Sequence, residues 1–207
     1  MSREQDNIAG ANKADLGGEI LTGLTFSHKS YGETFYRFIL GINRKSGYRD
    51  EIKVMISERL ILERDINPGL FAKIHGQVRT YNEEEEGKSR LNIVVFAREF
   101  ELFEEQGLHE NNITLEGYLC KEPIRRTSPL GREICDIMLA VNRMYNKSDY
   151  IPCIAWGRNA AYGGSLEVGA KMEITGRIQS REYRKKDETG GSISKTAYEV
   201  SILKIEE

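Results

Sequence analysis

The sequence has few of the residues that would indicate a disulfide-linked or metal-linked protein. It holds three cysteines, Cys120, Cys135 and Cys153, and no CxxC spacing. An odd number of cysteines without paired spacing favours neither a disulfide framework nor a zinc site. Because each one lies in or beside an apolar segment, we expect three buried, reduced thiols.

The sequence motifs of common enzymes and of membrane proteins are also missing. There is no Walker loop, G-x-G-x-x-G or H-E-x-x-H, and His28, His75 and His109 are far apart along the chain. No run approaches the ~18 apolar residues of a membrane helix. Residues 1–18 are polar and lack the apolar stretch of a signal peptide. We therefore predict a cytoplasmic, non-enzymatic protein with no metal, cofactor or membrane contact, whose residues 1–18 form a disordered tail.

Positive and negative charges are nearly balanced over the whole chain, but the two halves differ in net charge. The 207 residues have a net charge of −2, which argues against a nonspecific duplex-binding protein. Residues 1–106 contain 15 Lys and Arg against 18 Asp and Glu, whereas residues 107–207 contain 15 against 14. A surface that binds a polyanion is therefore expected in the second half.

An internal repeat of about a hundred residues is the most informative feature that the sequence does contain. Its unit is longer than the roughly 20 to 50 residues of a solenoid repeat, so it indicates two copies of one domain. The aligned segments, first copy then second, are Phe38–Ser57 with Ile137–Trp156, Ala72–Val78 with Lys171–Ile178, and Leu91–Phe96 with Ala197–Ile202. The first pair shares an Asn-Arg dipeptide and a later aspartate, Asp50 or Asp149.

Each copy shows five segments with the alternating apolar pattern of a β-strand and a helical or loop insert between the third and fourth. This order matches the OB-fold, a five-stranded, partly open Greek-key barrel. We predict an all-β protein of two tandem OB-folds, at residues 19–106 and 107–207. The predicted strands are 20–25, 36–43, 51–57, 72–81 and 89–96, then 112–119, 133–143, 150–156, 171–183 and 196–204, with inserts at 59–65 and 158–166.

A glycine lies inside the fourth predicted strand of both copies, at Gly76 and Gly176. A missing side chain permits the sharp bend that closes a small barrel. We interpret both glycines as architectural, with close approach of a ligand as the alternative.

Residues 112–183 resemble the bacterial single-stranded DNA-binding protein family. The resemblance lies in short blocks that occur in the family's order, namely NNITLEGYLCKEP, LAVNR, AWGRNA and GRIQSREY. The first copy resembles the family more weakly, mainly because it resembles the second copy. The resemblance implies binding of single-stranded DNA, mostly by the second barrel, in replication, repair or recombination.

The resemblance also implies an assembly and partners. Family members usually carry one such domain and form tetramers, so two domains in one chain suggest a homodimer with four OB-folds. Replication proteins are further expected partners. Because this chain ends soon after the last predicted strand, recruitment through the family's acidic C-terminal tip is not expected.

Three aromatic residues are candidates for stacking on bases. Tyr150 and Trp156 share the outward face of a predicted strand because side chains alternate, and Tyr145 lies on the preceding hairpin. All three match positions where the resembling family places its stacking rings. Packing of Tyr150 and Trp156 against the insert helix or a subunit interface is the alternative. The aligned positions of the first copy, Ser46, Glu51 and Ser57, have no ring.

Basic residues of the second copy complete the predicted DNA-binding site. Arg125 and Arg126 lie between the first two strands, and Arg143, Lys147 and Arg158 lie near the aromatic residues. Arg184, Lys185 and Lys186 occupy the fourth hairpin, where the first copy has Glu83–Glu86. Cations attract phosphates, whereas a run of glutamates repels them.

Two alternatives to binding of single-stranded DNA remain open at this stage. The acidic first half suggests a protein-interaction adaptor that resembles primosomal replication proteins. Binding of RNA is the other alternative, because an aromatic platform does not read the sugar.

Overall fold

The fold is described from a computed structural model that covers residues 12–62, 64–85, 87–103, 107–186 and 190–206, without the side chains at 85, 88 and 183–186. These residues form twelve strands and two short helices. The strands are β1 (Asn12–Ile20), β2 (Thr25–Ser30), β3 (Glu33–Asn43), β4 (Arg49–Ser57), β5 (Phe71–Glu85), β6 (Lys88–Phe103), β7 (Glu110–Leu119), β8 (Ile124–Thr127), β9 (Glu133–Arg143), β10 (Lys147–Trp156), β11 (Lys171–Lys186) and β12 (Ser192–Glu206). The helices are α1 (Glu58–Ile61) and α2 (Arg158–Gly163).

Two closed barrels follow one another along the chain. The first runs β1-β3-β4-β6-β5 and returns to β1, and the second runs β7-β9-β10-β12-β11 and returns to β7. In each barrel the third and fifth strands are parallel, β4 with β6 and β10 with β12. This order and the insert helices α1 and α2 confirm the predicted pair of OB-folds. The short strands β2 and β8, which the sequence did not predict, extend each barrel at one edge of the sheet.

The predicted start of the first strand at residue 20 is wrong. β1 begins at Asn12, so residues 12–18 belong to the sheet and not to a tail, and residues 1–11 lie outside the described part of the chain. The sequence hid this strand because ADLGGEI has few large apolar residues, although Ala14, Leu16 and Ile20 are buried. Two glycines and two acidic residues interrupt the alternation by which a strand is recognised.

The predicted alignment of the fifth strands is displaced by one residue. β5 pairs Gly76 with Ala97, whereas β11 pairs Gly176 with Ile202, so Phe96 corresponds to Ser201 and not to Ile202. Because side chains alternate across a strand, a slip of one residue moves each to the opposite face. Phe96 therefore points outward, whereas the neighbouring Val95 and Ala97 are buried in the core.

Gly76 and Gly176 lie at β-bulges, where the register of the fourth strand shifts against the fifth. A Cβ atom at either position would run into a carbonyl oxygen of the paired strand, that of Phe96 or of Ser201. Bulges bend a strand and increase its twist. The architectural interpretation of the two glycines is confirmed.

The two barrels share one continuous twelve-stranded sheet. β1 pairs antiparallel with β7, from Asn12 opposite Leu115 to Gly17 opposite Glu110. Two asparagine side chains flank this seam, and each bonds both backbone groups of one residue on a neighbouring strand: Asn12 with Val78, and Asn111 with Ile178. The β1–β7 backbone pairing thus fixes the position of one barrel against the other, whereas each asparagine extends a strand pairing within its own barrel, β1 with β5 or β7 with β11.

The barrel interiors are filled by branched aliphatic residues. On β10, Ile151, Cys153 and Ala155 point inward and are buried. Burial raises the pKa of the Cys153 thiol, which therefore stays protonated. Cys135 is also buried, whereas Cys120 is only half-buried, and all three are free thiols. Neither helix in the described ranges has the length and apolar character needed to cross a membrane.

Candidate nucleic-acid interface

A buried aspartate on the second hairpin of each barrel contacts the other barrel. Asp50 of β4 is fully buried and accepts a hydrogen bond from the Ser180 N–H of β11 at 2.9 Å. The Arg44 guanidinium donates two further hydrogen bonds to this carboxylate, at 2.6 and 2.5 Å. These bonds raise the pKa of Arg44. A buried carboxylate is tolerated when it is paired and hydrogen-bonded in this way.

Asp149 of β10 makes the equivalent contact in the reverse direction. Its carboxylate accepts the Thr80 N–H of β5 at 2.8 Å and pairs with Arg79 at 3.2 Å and Arg143 at 3.3 Å. Burial lowers the pKa of Arg79, and Asp149 opposes this shift. Each hairpin is therefore attached to the fourth strand of the other barrel. Arg143 thus lies beside Asp149 and takes part in this ion pair. Its predicted contact with DNA stays a prediction.

A groove of about 660 Å³ lies where the hairpin of the first barrel meets the outer face of the second. Its lining includes three rings, which are Trp156 of β10, Tyr198 of β12 and Tyr48 from the hairpin of the first barrel. We call it the Trp156 groove. Trp156 is 37% exposed and Tyr48 is 44% exposed, so their rings are accessible from solvent.

The charges of the Trp156 groove are largely balanced. Its lining includes Arg44, Arg49 and Arg181 but also Glu51 and Glu182. Each of the three arginines forms an ion pair: Arg44 with Asp50, Arg49 with Glu19 at 3.1 Å, and Arg181 with Glu199 at 3.5 Å. The groove thus offers flat rings with little excess positive charge.

The three predicted stacking residues do not form one platform. Tyr150 and Trp156 are separated by six residues of β10, or about 20 Å along a strand. The Tyr150 N–H donates to Thr80 Oγ1 at 3.2 Å, which places Tyr150 beside β5 of the first barrel. Between the two rings, the side chain of Ile154 is buried, so no continuous exposed surface joins Tyr150 to Trp156 along the strand. Tyr150 and Tyr145 are 52% and 88% exposed at the far end of the strand.

The predicted basic residues are spread over several surfaces. Arg125 and Arg126 of β8 pair with Glu133 and Asp136, at 3.2 and 2.6 Å. Lys147 and Arg158 are exposed at the two ends of the β10 segment. Arg184, Lys185 and Lys186 continue the backbone of β11, but their side chains lie outside the described residues.

A second groove, of about 590 Å³, occupies the outer face of the first barrel. Four arginines line it, Arg37, Arg79, Arg98 and Arg143, together with Phe96 and Tyr81. We call it the arginine groove. The sequence did not predict it, because the aligned positions of the first copy lack rings and the displaced alignment set Phe96 against Ile202, which is buried. Tyr48 and Tyr198 were also missed. Tyr198 has the same phase in β12 as the buried Val200, so alternation gives no signal that its ring lines a groove.

Comparison with solved structures shows the class of fold. The chain is similar to the wild-type single-stranded DNA binding protein from Thermus aquaticus, with a TM-score of 0.74 over 94% of this chain and 91% of that one. A deletion mutant of the same protein gives a TM-score of 0.73. Sequence identity is 20% in both cases, so these likenesses establish the tandem OB-fold architecture.

Sequence comparison then shows the family. Residues 110–206 match the single-strand binding protein family. Single-stranded DNA-binding protein 3 of Clostridium acetobutylicum is 34% identical over 101 residues, which cover 45% of this chain and 70% of that protein. Single-stranded DNA-binding protein A of Bacillus subtilis is 34% identical over 80 residues, which cover 35% of this chain and 46% of that protein. The chain belongs to the single-strand binding protein family.

Proposed function

We propose that this protein binds single-stranded DNA largely without regard to sequence, and that it does so as a non-enzymatic protein. The observation that carries the proposal is the Trp156 groove, where accessible rings from both barrels face one channel. The relatives named single-stranded DNA-binding proteins support the same function. A role in replication, repair or recombination and a cytoplasmic location belong to the proposal.

Stacking accounts for the lack of sequence preference. Every base has a flat π face, so an exposed indole or phenol binds any base, with about 1 to 3 kcal/mol for each stacked base. The Trp156 groove is lined by Trp156, Tyr48 and Tyr198. Tyr48 comes from the first barrel, so a strand in the groove contacts both barrels at once.

Each barrel is proposed to be one domain, with the boundary near residue 107. The complete protein is proposed to be a homodimer, which would hold four OB-folds. Phe26 on β2 and Ile124 on β8 support a further association, because both are more than half exposed on the outermost strands of the sheet. Exposed apolar residues at sheet edges are common in association surfaces.

Quenching of the single tryptophan tests the proposed function directly. Oligo-dT should quench Trp156 fluorescence at low salt, about 50 mM, and more weakly as salt rises. Trp156→Ala should weaken binding by about 1 kcal/mol or more, the low end for one stacked base. The affinity of this variant is measured by fluorescence anisotropy of a labelled oligo-dT.

Tyr162→Ala is the matched control for Trp156→Ala. Tyr162 lies on α2 and is also 37% exposed, but it does not line the Trp156 groove. Its removal should leave the affinity for oligo-dT unchanged. Equal affinity for duplex, or no quenching at low salt, would instead favour the protein-interaction adaptor. Stronger quenching by oligo-U would favour RNA.

A further inference from the structure

The arginine groove crosses four adjacent strands of the first barrel. Arg37 of β3 pairs with Met55 of β4, Met55 with Phe96 of β6, and Phe96 with Gln77 of β5. Neighbouring strands are about 4.8 Å apart, so the row is about 14 Å wide. A groove of this width spans more than one nucleotide of an extended strand.

Its charge differs from that of the Trp156 groove. No Asp or Glu is among the residues found to line the arginine groove, whereas Glu51 and Glu182 line the other one. The carboxylate that pairs with two of its four arginines, Arg79 and Arg143, belongs to Asp149, which is only 1% exposed. Within the described residues, no ion pair holds Arg37 or Arg98. The groove thus presents an excess of positive charge to solvent.

Flat rings lie beside these cations. The Arg98 guanidinium lies 5.1 Å from the centre of the Phe96 ring, and the Phe35 and Phe96 rings are 5.6 Å apart. His28, which lines the groove, stacks on the buried Phe35 ring, with ring centres 4.9 Å apart. A guanidinium over a ring supplies both a stacking plane and a phosphate contact. The groove therefore has the two kinds of group that an unpaired strand needs.

Both barrels are needed to form this groove. Arg143 comes from the end of β9 in the second barrel, and Asp149 holds it beside Arg79 of the first. The Trp156 groove has the reciprocal construction, since Tyr48 and Arg49 reach it from the first barrel. The two grooves are related by the internal repeat, but they differ in charge.

We propose that the two grooves divide the work of binding single-stranded DNA, an inference that rests on the proposed function. The Trp156 groove supplies most of the base stacking. The arginine groove supplies phosphate contacts and with them most of the salt dependence of binding, because each neutralised phosphate releases counterions. The first barrel, acidic on average, is the one that holds the phosphate backbone.

The double variant Arg37→Gln, Arg98→Gln tests this division. Affinity for oligo-dT is measured over a range of salt, and the slope of log K against log salt is compared with that of the unmodified protein. The slope should become shallower by about 0.7 for each phosphate that the variant no longer neutralises. Saturating oligo-dT at low salt should still quench Trp156 fully, because the Trp156 groove is unchanged.

The matched control is Arg59→Gln, Lys204→Gln. It removes the same charge from two exposed residues that pair with Glu33 and Glu206 and line neither groove. Its slope should equal that of the unmodified protein. Arg37→Lys, Arg98→Lys keeps the charge and should keep most of the slope.

An unchanged slope in the Arg37→Gln, Arg98→Gln variant would overturn the division of work. Equal flattening in this variant and in the Arg59→Gln, Lys204→Gln control would also overturn it, since the effect would then be one of net charge. Flattening in Arg37→Lys, Arg98→Lys as large as in the glutamine variant would show that loss of packing, not charge, is responsible. Failure of the unmodified protein to bind oligo-dT would refute the proposed function itself.

Discussion

At the scale of single residues, two buried carboxylates, those of Asp50 and Asp149, connect the two barrels. Asp149 accepts a backbone N–H from Thr80 and lies against Arg79 and Arg143, with 1% of its surface exposed. A neutral asparagine could accept the same N–H but could not balance two guanidinium groups. The acid is therefore needed because of its charge as well as its shape.

Removing this carboxylate should strongly destabilise the protein. Asp149→Ala leaves the Thr80 N–H without its acceptor and two arginines without their counter-charge, and breaking a buried pair costs about 3 to 5 kcal/mol. Asp136→Ala is the control, because its ion pair with Arg126 is exposed and worth about 1 kcal/mol or less. Urea unfolding measures both, and similar decreases in stability in the two variants would contradict the assigned role of Asp149.

Sequence reasoning found the two aspartates but not what they do. The internal repeat aligns Asp50 with Asp149, and the Asn-Arg pair before each of them, so the sequence identifies the two aspartates as equivalent. Their partners, Ser180 and Thr80, lie more than 65 positions away along the chain and on the other barrel. Contacts at such separation leave no local pattern, so only the three-dimensional structure identifies them.

At the scale of elements, a bulge in the fifth strand of each barrel, opposite the glycine of the fourth, changes the phase of the side chains along that strand. Alternation along β6 and β12 was readable from the sequence, and so was the special position of the glycines. The pairing of Gly76 with Ala97 was not readable, because the bulge adds one residue to one strand only. Phe96 pairs with Gln77 ahead of the bulge, and the one-residue error of the sequence alignment set it against the buried Ile202 instead of Ser201.

Gly76→Ala should destabilise the first barrel. The new methyl group would collide with the Phe96 carbonyl oxygen, and overpacking of this kind costs about 1 to 3 kcal/mol. Gly23→Ala is the control, since no atom lies within 4 Å of a Cβ there. Its effect should remain within about 0.5 kcal/mol in thermal unfolding. Destabilisation by Gly23→Ala as large as that by Gly76→Ala would remove the steric explanation.

At the scale of the whole molecule, the repeat predicted two barrels but not the way they join. β1 and β7 pair through backbone hydrogen bonds, which any side chains permit, so the sequence has no signature for the seam. The arginine groove was hidden for a related reason. Three of its four arginines, at positions 37, 79 and 98, lie in the first half, where an average charge hides them among acidic residues, and the fourth, Arg143, lies in the second half.

The proposed homodimer predicts a mass in solution of twice the 23.6 kDa chain. Exposed apolar residues on β2 and β8 provide the physical reason, because burying them in a second contact is favourable. Sedimentation equilibrium over a range of concentrations measures the mass. A constant value of one chain would contradict the dimer and would leave the single-chain grooves as the complete binding surface.

The covalent connection between the barrels has an evolutionary consequence. When identical barrels associate from separate chains, any substitution appears at every site, so all the sites change together. Here the partner of each barrel is fixed by the peptide chain, which holds it at a high effective concentration. A mutation in one groove is not copied into the other. One gene can therefore encode two chemically different grooves that are always present in the same molecule.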